Sequence, residues 1–71
     1  MTKARKHTFE TGLNIGSGWI DFMCSYYYFH GEIEIAETWE INNPQKRNIH
    51  ETFTLEEIYV LKELCVQDHN E

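Results

Sequence analysis

Apolar and polar positions alternate in step with a β-strand along three stretches of this chain, and in step with a helix along a fourth. From His7 to Ile15 the odd positions read His7, Phe9, Thr11, Leu13 and Ile15, and the even ones Thr8, Glu10, Gly12 and Asn14, the pattern of a half-buried strand. Trp19 to Phe29 and Glu32 to Ile41 read as two more. A tight turn at His30-Gly31 sets Tyr28 opposite Ile33, Tyr26 opposite Ile35, Cys24 opposite Glu37, Phe22 opposite Trp39 and Ile20 opposite Ile41. A two-residue loop at Gly16-Ser17 sets Leu13 opposite Ile20, Thr11 opposite Phe22, Phe9 opposite Cys24 and His7 opposite Tyr26. The two turns, chosen independently, send the same residues of the middle strand inward. A slip of one residue in either would move every side chain to the other face, so their agreement specifies the register.

Glu37 alone interrupts the inward row of Ile33, Ile35, Trp39 and Ile41. Desolvating an unpaired carboxylate is costly, so the expectation is a bulge near Ala36-Glu37 that turns it outward, or a place at the sheet's edge in water. Asn42 to Asn48 surrounds Pro44, the only proline of the chain, and reads as a loop that ends the third strand. Ile49 to Phe53 alternates weakly and continues it as loop or extended chain. Thr54-Leu55-Glu56-Glu57 then marks a helix start, with Thr54 capping the amide of Glu57 and Glu57 bonding back, and with Phe53 and Ile58 placed as a hydrophobic staple. The periodicity predicts a helix over Leu55 to Val66. Leu55, Ile58, Leu61, Cys65 and Val66 meet the sheet; Glu56, Glu63 and Gln67 face water; Val60 and Leu64 broaden the apolar stripe. Gln67 to Glu71 should fray, and Met1 to Lys6 form a basic flexible tail. The predicted fold is α+β, a three-stranded antiparallel meander with one C-terminal helix packed on one face (β-β-β-α), in a single domain over residues 1–71.

A chain of 71 residues is close to the lower limit for a self-sufficient core, so exposed apolar area in it points to a partner or to self-association. No apolar run approaches the roughly 20 residues of a membrane span, and no signal-like apolar stretch follows the basic start, so the expected location is cytoplasmic. Cys24 and Cys65 are too few for a disulfide framework and read as small buried hydrophobes, both at core-facing positions that would permit a bridge. The net charge is −6, and residues 7–45 hold Glu10, Asp21, Glu32, Glu34, Glu37 and Glu40 with no Lys or Arg. The cations are expected in the tail, at Lys46-Arg47 in a loop, and at Lys62. Such a sheet repels a phosphate backbone and attracts a basic protein surface.

The reverse face of the meander is where function is expected. It carries Trp19, Asp21, Met23, Tyr27, Phe29, Glu32, Glu34 and Glu40, with Phe29 beside Glu32, Tyr27 beside Glu34, Met23 beside Thr38 and Asp21 beside Glu40. Aromatic and Met side chains are enriched at protein interfaces, so these eight residues are the expected partner-binding set. Asp21 beside Glu40 is the minimum for a weak cation site or acid-base pair, but catalysis also needs a cleft for which so short a chain has little room. His7, His30, His50 and His69 lack zinc-ligand spacing, and Ser17 and Ser25 lack a histidine base and acidic orienter. No enzyme, cofactor or metal is therefore expected. The reading is a small acidic non-enzymatic protein-binding module, an inhibitor or regulator docking a partner with a basic surface by its sheet face or edge, with no membrane or direct nucleic-acid contact. In size and charge, though by no motif, it resembles the accessory proteins of phages and mobile elements. Three alternatives stand beside it: an obligate homodimer, a nucleic-acid mimic for a basic groove, and a binder of a small sugar or base.

Overall fold

In a computed structural model, which describes residues 5–71, the strands β1 (Lys6–Asn14), β2 (Trp19–Phe29), β3 (Glu32–Glu40) and β4 (Asn43–Arg47) lie side by side in chain order, all antiparallel. A 3₁₀ turn at Ile49–Thr52 and the helix α1 (Leu55–Asn70) follow. The class is α+β with one C-terminal helix, as the pattern predicts, but the sheet has a fourth strand. Met1 to Ala4 of the expected basic tail lie outside the described residues, and Lys6 is the first residue of β1 rather than the last of a tail.

The first hairpin has the predicted register, with His7 opposite Tyr26, Phe9 opposite Cys24, Thr11 opposite Phe22 and Leu13 opposite Ile20. Its turn is closed by the Ile15 amide donating to the Gly18 carbonyl at 3.1 Å, and Gly16 and Gly18 take φ of 90° and 144°, which side-chain-bearing residues resist. The second turn has positive φ at both His30 (51°) and Gly31 (82°), the type I′ geometry that matches the twist of paired strands.

The second hairpin departs from prediction at one residue. Tyr28 faces Ile33 and Tyr26 faces Ile35, after which Ala36 is passed over and Ser25 faces Glu37, Cys24 faces Thr38, Met23 faces Trp39 and Phe22 faces Glu40. One extra residue inverts the parity of everything beyond it. Glu37 turns outward as the bulge expectation requires, Thr38 becomes fully buried against Cys24, and Trp39 moves to the outer face. The predicted pairs Cys24-Glu37, Phe22-Trp39 and Ile20-Ile41 do not form, and Ile41 is exposed in the turn between β3 and β4.

The segment read as a loop folds back as β4, pairing Glu40 with Asn43 and Trp39 with Arg47, with an irregularity between them. An edge strand tolerates Pro44, whose missing N–H can face away from the ladder. Five residues with two registered partners on β3 leave no alternation to read. Ile49–Thr52 is a 3₁₀ turn rather than extended chain, entered through Asn48 in the left-handed region (φ 56°, ψ 44°). The His50 amide donates to the buried Thr38 hydroxyl at 3.0 Å and ties this turn to β3.

The capping box closes as predicted. The Glu57 amide donates to Thr54 Oγ1 at 3.2 Å and the Thr54 amide to Glu57 Oε1 at 2.7 Å. Leu61 and Cys65 are fully buried on the sheet, with Phe22, Cys24, Tyr26, Leu13 and Ile49 completing the core. Leu55 is 78% exposed instead of inward. It precedes Leu61 by six positions, about a third of a turn off the buried line at roughly 100° per residue. The helix also runs four residues past Val66, because its last turn is held by the sheet. The Tyr26 hydroxyl donates to Asp68 Oδ2 at 2.6 Å, and the His69 ring stacks on Tyr28 at 3.7 Å between centroids. Burial and the Asp68 carboxylate raise the Tyr26 hydroxyl well above its ordinary range.

Candidate functional site

With α1 on one face, the site is built on the other, where the strands lay out cross-strand rows. Glu10 of β1, Met23 of β2, Trp39 of β3 and Arg47 of β4 form one row across the whole sheet. Lys6, Tyr27 and Glu34 form a second, and Thr8, Ser25 and Glu37 the one between. Phe29 pairs with Glu32 at the end of the hairpin. The first two rows set an apolar or aromatic centre between charged ends, and the third sets the hydroxyls of Thr8 and Ser25 beside Glu37, patterns that cross-strand neighbours favour.

Of the eight residues assigned to this face, seven are on it: Trp19, Asp21, Met23, Tyr27, Phe29, Glu32 and Glu34. Trp19 is 67% exposed, yet positioned. Its indole N–H donates to Asp21 Oδ1 at 2.8 Å, and its ring lies on Gly12, where an added methyl would come within 2.5 Å of Trp19 Cζ2. A glycine in mid-strand is the seat the indole needs. Met23 and Tyr27 are half-buried in their rows, and Phe29 is exposed with its ring edge-to-face on His30 at 4.1 Å.

Glu40 is a correction. The bulge at Ala36 puts it opposite Phe22, on the helix side of the sheet, so the carboxylate pair Asp21-Glu40 does not form. Asp21 instead lies opposite Gly12. For the same reason Thr38 is not beside Met23; Trp39 is.

The face also holds cations that the sequence places elsewhere. The Lys6 ammonium reaches over Ser25 to Glu37 Oε1 at 3.3 Å, an exposed ion pair worth about 1 kcal/mol or less. Under it Ser25, only 2% exposed, shares a 2.8 Å hydrogen bond with Thr8. The Arg47 guanidinium sits 4.5 Å above the centroid of the Trp39 ring, a cation–π contact. Trp39 and Arg47 are the members of the surface that sequence reasoning misses. The one signal for them is Glu37 itself, since a bulge that frees its carboxylate must also flip Trp39. Five carboxylates (Glu10, Asp21, Glu32, Glu34, Glu37) stand against two cations on this face, which stays acidic among the described residues.

On the helix side, Cys24 and Cys65 are buried free thiols with their sulfurs 3.9 Å apart. The hydrogen bond to Cys65 and burial push the Cys24 thiol far up, the opposite of an activated nucleophile. Among the described residues no group of His, Cys, Asp and Glu gathers in a metal-binding arrangement, and no helix is long and apolar enough to cross a membrane. No protein-family model, curated protein or solved structure matches this chain.

Proposed function

We propose that this protein is a small non-enzymatic binding module that docks a basic surface of a partner protein on its open sheet face and thereby inhibits or regulates it. The observation that carries this reading is the set Trp19, Met23, Tyr27, Phe29 and Trp39, gathered on the face that α1 leaves uncovered. A chain this short has little apolar area to spare, and aromatic anchors of this kind dominate binding energies. The surrounding carboxylates supply steering toward a basic partner. Trp19, seated on Gly12 and hydrogen-bonded to Asp21, gives up little side-chain freedom on binding. The two free thiols suit a reducing compartment, which favours the cytoplasm as the place of action.

The test is the affinity of a partner captured on the full chain. Tyr27→Ala with Phe29→Ala should weaken it on the order of a hundredfold, and Glu32→Lys with Glu34→Lys should slow association; Leu55→Ala, on the helix, should change nothing. Retention at unchanged affinity by both face variants would refute the reading.

A further inference from the structure

A second surface, which shares Trp19 and Glu10 with the open face, runs along the free edge of β1. We infer that this edge takes an extended, basic polypeptide segment as an added strand, lodged between β1 and α1. Proteins usually blunt a sheet edge with proline, bulges or positive charge, and β4 has all three in Pro44, its irregular pairing, and Lys46 and Arg47. β1 has none of the first two. Its nine residues pair with β2 without interruption, and among the described residues no strand covers its other side.

Beside that edge lies a trough. One hollow of about 660 Å³ is walled by Leu13 and Trp19 on the sheet and by Val60 and Leu64 on the helix. A second, of about 230 Å³, continues from Leu64 past Phe9 toward the end of α1. Both faces of β1 contribute to the walls, Phe9 and Leu13 from the inner and Glu10 and Gly12 from the outer, so the trough follows the edge itself. An edge that offers backbone groups next to apolar hollows suits strand addition: the ladder gives affinity, and alternate side chains enter the hollows.

The charge of the walls selects the occupant. Glu10, Glu56, Glu57, Asp68 and Glu71 line the two hollows, and no Lys or Arg does. Glu57 and Asp68 each accept one internal hydrogen bond, while the side chains of Glu10, Glu56 and Glu71 have no ion-pair partner among the described residues. A second copy of the chain would set carboxylates against carboxylates along the same edge. The one cation of β1, Lys6, is already held by Glu37. A segment alternating apolar and basic residues places its apolar side chains in the hollows and its cations on these carboxylates.

The probe is a synthetic peptide of about nine residues, the length of β1, alternating Lys and Val, titrated into the isotope-labelled full chain with NMR readout. Saturable shifts are expected at the β1 amides and the Val60 and Leu64 methyls. Methylating the peptide's backbone nitrogens at alternate positions should weaken binding at least about tenfold for the set that faces β1 and much less for the other set, because only one set donates to the edge. Exchanging Lys for Glu in the peptide should abolish binding, and the exposed pair Glu10→Lys with Glu56→Lys should weaken it about tenfold with an unchanged melting curve. Four outcomes would overturn the inference: equal affinity for both methylated sets, shifts centred on Tyr27 and Trp39, no binding at millimolar peptide, or β1 protection that rises with protein concentration alone.

Discussion

The His50 imidazole packs half-buried beside Thr38, whose hydroxyl takes the His50 amide proton at 3.0 Å and lies 2.7 Å from Nδ1. The hydroxyl and Nδ1 share a hydrogen bond whose direction follows the tautomer of the ring. Burial lowers the His50 pKa from 6.5, and the Glu51 carboxylate only partly opposes it. A histidine whose folded value is depressed contributes stability that is complete above its unfolded value, near 6.5, and is lost as pH falls below it through the folded value. Urea unfolding at about pH 7.5 and about pH 5.5 should therefore show a larger acid loss for the natural protein than for His50→Asn, which does not titrate. Equal losses would remove His50 from the account. Nothing in the sequence announces this pair, because Thr38 reads as an outer-face residue until the register is known.

At the scale of elements, what was legible depends on where the chain stands relative to Ala36. The first hairpin and the half of the second next to its turn could be read because glycine marks both turns and alternation is unbroken from each turn inward. The capping box could be read because four adjacent residues carry it. Beyond Ala36 one uncounted residue inverts the faces, and an alanine gives no sign that it is the one passed over. Hence Trp19, Asp21, Met23, Tyr27, Phe29, Glu32 and Glu34 stay on the site, Glu40 leaves it, and Trp39 joins it. β4 and the last turn of α1 are held by tertiary contacts, Trp39 with Arg47 and Tyr26 with Asp68, that local pattern cannot contain. The bulge is testable. Deleting Ala36 removes the extra residue and leaves Glu37 opposite Ser25, Thr38 opposite Cys24 and Trp39 opposite Met23, so it should change stability by about 1 kcal/mol or less and keep Glu37 and Trp39 on the outer face. Ala36→Gly, which keeps the residue count, should cost about 1 kcal/mol. A loss of about 3 kcal/mol or more for the deletion would mean that Ala36 is not the residue passed over.

The whole molecule is a sheet with two unlike sides and two unlike edges. Its inner side is filled by one helix whose buried line is narrow, Leu61 and Cys65, and four aromatic residues, Trp19, Tyr27, Phe29 and Trp39, are left for the outer side. Its β4 edge is blunted and its β1 edge is open. A structure so divided has a small core and large contact surfaces, and its stability should rise when a partner covers them. The central claim is that the outer face is the contact surface, and the most direct measurement follows the indole N–H signals of Trp19 and Trp39 and the Met23 methyl by NMR as a captured partner is added. The account predicts that all three shift and saturate together, with the Tyr59 and Leu55 signals on the exposed side of α1 unmoved. Shifts confined to Tyr59 and Leu55, with Trp39 and Met23 silent in the saturated complex, would contradict it.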